Sequence, residues 1–277
     1  MHMRYGGTIA VLALALGACG GSKDTTTQAS ASAPRSDDAP SLSSTQAPPP
    51  APPAKARTEK QENALYEFGY AYPAAVSAIA PLRKIFDDRL DQSRTQLIAD
   101  AREGKADADK DQYPYHPFSR DTTWKVVADL PQWLSLSAEF YEYSNGAHGN
   151  SGFDTLLWDR RAQTARQPLD MFVGKDMLRS AIQGPFCDAL DKERAKKRGE
   201  PVTRGSADMF SDCIDPTAQT LILGSSNGQT FDRIGLLVAP YEAGPYAEGS
   251  YEVTLPVTGK VMAALKPQYR SAFSIKP

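Results

Sequence analysis

His148 stands in a glycine-rich run, Tyr141 to Gly152 (Y-E-Y-S-N-G-A-H-G-N-S-G), and is one of three histidines in 277 residues. An imidazole in such a place could ligate a metal, move a proton or hold backbone groups of a turn. Metal chemistry needs more ligands than these. His116 lies in P-Y-H-P-F, His2 is at the N-terminus, and neither an H-E-x-x-H pair nor a carboxylate cluster accompanies them. No metal or other cofactor is expected, and a structural or recognition role for His148 is preferred. Hydrolysis would need an activated nucleophile. Gly224-Ser225-Ser226-Asn227-Gly228 fits G-x-S-x-G, but the nucleophile elbow requires a helix after its serine. Phe231 to Ala239 reads as a strand, so Asn227-Gly228 reads as a hairpin turn. No catalytic residue is assigned.

The remaining candidates are recognition residues. Tyr141, Tyr143, Tyr241, Tyr246 and Tyr251 cluster in two segments of the sequence. Tyrosine suits a contact surface because one side chain offers both an apolar face and a polar tip. Asn145, His148, Tyr241, Glu242 and Tyr246 form the candidate ligand-binding set, with 145–149 and 241–249 expected to lie near one another. Glu242 and Glu248 could meet a basic partner. The alternative is that the tyrosines are core and strand-face residues and the glutamates only keep a loop soluble.

These residues need elements to hold them. Leu134, Leu136, Ala138 and Phe140 alternate along Trp133 to Tyr143, and a second apolar run, Phe153 to Trp158, leaves the glycine-rich segment. Asn145-Gly146 and Gly149 tolerate positive φ, so the two runs should be strands of a β-hairpin. Ala64 to Tyr72 reads as a first strand. Ala74 to Arg102 reads as an amphipathic helix, with Pro81 as a kink or break, followed by an exposed connection at 104–111. Trp124 to Leu130 is a further strand, Arg160 to Arg166 a polar turn, and helical character resumes from Pro168 through Leu190. The run Lys192 to Arg204 reads as a solvated helix end and loop. Strands at 220–223, 234–239 and 251–255 and a helix at 259–265 complete the chain. Short hairpin connections argue against a doubly wound parallel sheet. The fold class is α+β: antiparallel sheets covered by helices, in two closely packed sub-domains (62–165 and 166–277) behind a disordered tether.

The N-terminus points to a compartment. Arg4 precedes an apolar stretch, Ile9 to Leu16, that is too short to span a bilayer. It ends in Leu16-Gly17-Ala18-Cys19, which resembles the lipobox of bacterial lipoproteins. The resemblance implies that residues 1–18 are a signal peptide, that Cys19 is acylated, and that the protein is anchored in a membrane. Gly20, by analogy with diderm sorting rules, favours the outer membrane facing the periplasm. The alternative is an ordinary secretory signal with a chance cysteine. With Cys19 so used, Cys187 and Cys213 remain as an expected disulfide in an oxidising compartment. The alternative there is two unpaired thiols. Residues 19–61 are dominated by Ser, Thr, Ala and Pro, and they bury too little apolar surface to offset their ordering entropy. A tether of that length reaches about 35 Å. A net charge of -2 gives no electrostatic reason to expect nucleic acid as a partner.

The motifs N-G-A-H-G, F-D-T-L-L-W-D and P-L-D-M-F, in that order, resemble the extracellular region of RsiV-type anti-sigma factors. G-L-L-V-A-P-Y-E-A-G-P-Y-A-E-G followed by Y-E-V-T-L-P resembles the end of the same region. The strand ending in Tyr72-Pro73 resembles the start of the adjoining domain of PdaC-type peptidoglycan deacetylases. Together the resemblances cover 61–277. They imply the accessory or binding part of those proteins rather than a catalytic domain, with a lysozyme-like protein or peptidoglycan as the partner. The function expected is therefore a non-enzymatic, lipid-anchored envelope domain that binds or senses such a ligand. The alternative is a cell-wall hydrolase or deacetylase with an unrecognised site.

Overall fold

The computed structural model describes residues 53–275, so the expected signal peptide, Cys19 and most of the expected tether lie outside the described residues. The chain forms α+β structure with two sheets, one of six strands and one of three. The larger contains β1 (Arg57–Glu62), β2 (Tyr66–Tyr72), β3 (Phe118–Asp129), β4 (Trp133–Tyr143), β5 (Asn150–Asp159) and β6 (Thr164–Arg166), in sequence order. Its neighbours are antiparallel except β2 and β3. Those two run parallel because the helices α1 (Ala74–Ser77) and α2 (Ala80–Asp111) carry the chain back between them. Only that pair departs from the expected antiparallel arrangement.

Several boundaries differ from expectation. β3 begins at Phe118 rather than Trp124, the expected turn 160–166 ends in the short strand β6, and the helix expected through Leu190 runs to Arg198. The tether does not extend to residue 61, because Arg57–Glu62 is paired along its whole length with β2. Its sequence, R-T-E-K-Q-E, lacks an apolar face because it is an edge strand, where charge protects the open side. Residues 104–111 are not a loop but the last turns of α2. Alanines 106 and 108 favour helix, Lys105 pairs with Asp109 one turn on, and Ala108 is buried. The helix ends at Gln112, in the left-handed conformation at φ 60°. The break expected at Pro81 does occur. It falls just before that residue, at 78–79, because proline is tolerated in the first turn of α2, where no intrahelical donor is needed.

One core lies between α2 and the sheet, where Phe86, Leu90 and Leu97 meet Tyr72, Trp124, Leu136 and Trp158. The opposite parity of the same strands sends Trp133 and Leu157 into a second core. That core is closed by α3 (Lys175–Arg198), by β7 (Thr220–Gly224), β8 (Arg233–Val238) and β9 (Tyr251–Pro256), and by α4 (Gly259–Ala264). Cys187 of α3 is disulfide-bonded to Cys213, with Cα atoms 5.4 Å apart. The basic run is less solvated than its composition suggests. Arg194 is fully buried, its Nε donating to the Ala243 carbonyl at 2.8 Å and Nη1 to the Asp212 carbonyl at 3.0 Å.

Candidate functional site

The β4–β5 hairpin ends in a tip that needs two left-handed residues, Asn145 at φ 80° and Gly146 at φ 104°. The turn points His148 toward the loop that follows β8. There its ring stacks on Tyr246, with centroids 3.9 Å apart and planes 20° from parallel. Its Nδ1 lies 2.9 Å from the Gly149 carbonyl, and its Nε2 lies 3.2 Å from the Tyr241 hydroxyl. A carbonyl can only accept, so in the neutral ring Nδ1 carries the proton and Nε2 accepts from Tyr241. The expected meeting of 145–149 with 241–249 is therefore present. Tyr141 joins on the same side: its ring packs over Gly149, where a Cβ would overlap it.

Two members of the expected set are not part of the stack. The Asn145 side chain folds back to accept from the Gly146 N–H at 3.1 Å. Glu242 is exposed beside Tyr241 and makes a backbone bond to Ala239. Tyr241 itself holds φ 72°, an uncommon conformation for an aromatic residue, and remains half exposed.

A clamp from the end of α3 fixes this loop. Arg198 donates to both oxygens of Glu248, from Nε at 2.9 Å and from Nη2 at 3.1 Å. The Tyr251 hydroxyl donates to the same carboxylate. Lys197 bonds the Glu248 and Ser250 carbonyls and lies 4.0 Å from the Tyr251 ring centre. Burial would raise the Glu248 carboxyl, but bonds from Arg198 and Tyr251 outweigh it and hold the group below its ordinary range. Burial and the neighbouring carboxylate push the Tyr251 phenol up to about 12. Basic residues that looked solvated thus hold the tyrosine loop in place.

Sequence reasoning missed a second feature, a cleft of about 480 Å³ between α2 and the sheet. Arg89 crosses it to Asp154 at 3.2 Å and lies over the Trp124 ring at 5.4 Å. Arg120 faces Glu142 at 2.8 Å, and Phe140 lies between the two ion pairs on the floor. These residues come from four elements, so no motif could have shown them together. The volume is that of a small-ligand site.

The other sequence candidates are ordinary in structure. Gly224 to Gly228 begins a hairpin turn between strands, as expected, and Ser226 donates its hydroxyl to the buried Asp232. Among the described residues, no group of three His, Cys, Asp or Glu could hold a metal ion, and no helix is long and apolar enough to cross a membrane.

Known proteins bear on this architecture in part. No curated protein matches the chain. Among the solved structures that resemble it are two of the DUF3298 family. One, from Bacteroides fragilis, is 16% identical with a TM-score of 0.45, covering 76% of this chain and 93% of its own. The other, from Pseudomonas aeruginosa, has the same identity and TM-score and covers 81% and 99%. The family described as Deacetylase PdaC matches residues 59–151, from β1 through the hairpin that carries His148. Over residues 59–151, then, the chain is similar to the PdaC family.

Proposed function

We propose that this protein is a lipid-anchored recognition module of the cell envelope, binding a lysozyme-like protein or peptidoglycan through the surface built around His148. The observation that carries the reading is the stack of His148 on Tyr246, bonded to Tyr241. It joins residues 93 positions apart at a half-exposed place. A core contact would bury such rings. Here Tyr241 and Tyr141 keep accessible faces while an ion-paired clamp holds the backbone beneath them. Preorganised, partly exposed aromatics are what hot spots of recognition need. Glu242, exposed beside the stack, favours a basic protein partner. The lipobox-like Leu16-Gly17-Ala18-Cys19 supports the anchor, and Cys19→Ser should leave unprocessed precursor.

A second reading is favoured by one observation, the deacetylase name of the family matching 59–151. The two separate in one experiment. The chain is incubated with insoluble peptidoglycan and, separately, with immobilised lysozyme. Retention on either, without release of acetate or muropeptides, is the expected result. Acetate release would support the deacetylase, and neither retention nor product would remove the recognition reading.

A further inference from the structure

The last strand of the hairpin carries an open edge. β5 pairs with β4 throughout, but β6 covers only Leu157, Trp158 and Asp159. Residues 150–156 therefore have a strand neighbour on one side alone, and every second N–H and C=O along them faces away from β4. Two side chains attend to backbone groups here. Asp154 accepts from the Thr155 N–H at 2.7 Å, and the Thr220 hydroxyl donates to the Phe153 carbonyl at 3.3 Å.

Natural sheets protect such edges with charge, proline or a bulge. The far edge of this sheet does so, since β1 carries Arg57, Glu59, Lys60 and Glu62 in six residues. The β5 edge does not. Its sequence, N-S-G-F-D-T-L, contains one charge, Asp154, which is engaged by Arg89, and its register with β4 is unbroken.

A cavity stands on each face of this edge. The cleft of about 480 Å³ lies on the α2 side. Another, of about 250 Å³, lies on the opposite side and is walled by Leu169, Leu178 and Leu221. Phe153 and Asp154 line both, as consecutive residues of a strand that point to opposite faces. An extended chain laid along β5 would send alternate side chains into the two cavities, the arrangement that strand addition uses for specificity.

We propose that the open edge of β5 receives an extended peptide segment of a partner protein as an added strand. Apolar side chains enter the leucine-walled cavity. Polar, uncharged ones enter the cleft, whose arginines are already balanced by Asp154 and Glu142. A glycan fits less well, because it would occupy one face while the second cavity lies behind the strand. The proposal does not depend on the aromatic cluster.

The test presents the full chain with a displayed random heptapeptide library, then follows hydrogen exchange with an enriched peptide and with N-acetylchitotriose. The expected result is an alternating apolar–polar consensus, with amide exchange slowed at least tenfold within 150–156. N-methylating alternate amides of the peptide should weaken binding at least tenfold in one phase and not in the other. No enrichment, enrichment without protection of 150–156, equal tolerance of both methylation phases, or protection by the chitotriose alone would each overturn it.

Discussion

Glu248 shows how much one side chain can decide at this site. Arg198 and Tyr251 bond its carboxylate where solvent reaches little of the ion pair. Removing it leaves Arg198 without its partner and frees the loop that carries Tyr241 and Tyr246. Glu248→Ala should cost about 2 kcal/mol, read by chemical denaturation, as for a hydrogen bond to a charged group. The pH dependence has a definite sign. The folded Glu248 pKa lies below its unfolded value, so the stabilisation is complete above the ordinary carboxylate range. It is lost as pH falls through the folded value. Tyr251 behaves in the opposite sense, contributing below its ordinary 10.0 and losing that contribution as pH rises toward about 12. Melting curves from pH 3 to 11 should therefore fall at both ends. Glu248→Gln should flatten the acid limb, and Tyr251→Phe should reduce the alkaline fall.

At the scale of elements, α2 sets two forces against each other. Gly104 sits inside the helix, where alanine would ordinarily add about 1 kcal/mol. A Cβ there overlaps the buried Phe118 ring, and overpacking costs about 1–3 kcal/mol. Gly104→Ala should therefore lower the melting temperature despite the gain in propensity. The disulfide from α3 to Cys213 closes a loop with a sequence separation of 26. Replacing both cysteines with alanine should remove about 3 kcal/mol in the chain-entropy model, measured as a shift of the denaturation midpoint. The helices and hairpins with strong apolar period could be read directly from sequence. Leu134, Leu136 and Ala138 defined β4, and Asn145-Gly146 defined its turn. β1 was hidden because an edge strand needs no apolar face, and the end of α2 because Lys, Asp and Ala mark helix and exposed loop alike. The His148–Tyr246 contact could be anticipated from two turn-rich segments. The Arg89–Asp154 cleft could not, because pairing partners 65 residues apart leave no local pattern.

Across the whole molecule, the two cores share one sheet. Trp158 and Trp133 leave it on opposite faces, toward α2 and toward the three-stranded sheet. The hairpin tip extends from that sheet to meet a loop held by α3, so segments 93 positions apart in the sequence meet at the aromatic surface. The central claim is that this surface recognises a ligand rather than merely packing the tip. Calorimetric titration with lysozyme and with soluble peptidoglycan fragments, wild type beside His148→Ala and Tyr246→Ala, tests it directly when paired with thermal melts of the same samples. The account predicts wild-type binding to one of the two ligands, weakened by about 2 kcal/mol or more in each variant at a nearly unchanged melting temperature. Variants that melt lower but bind as wild type does, or a wild type that binds neither ligand, would contradict it.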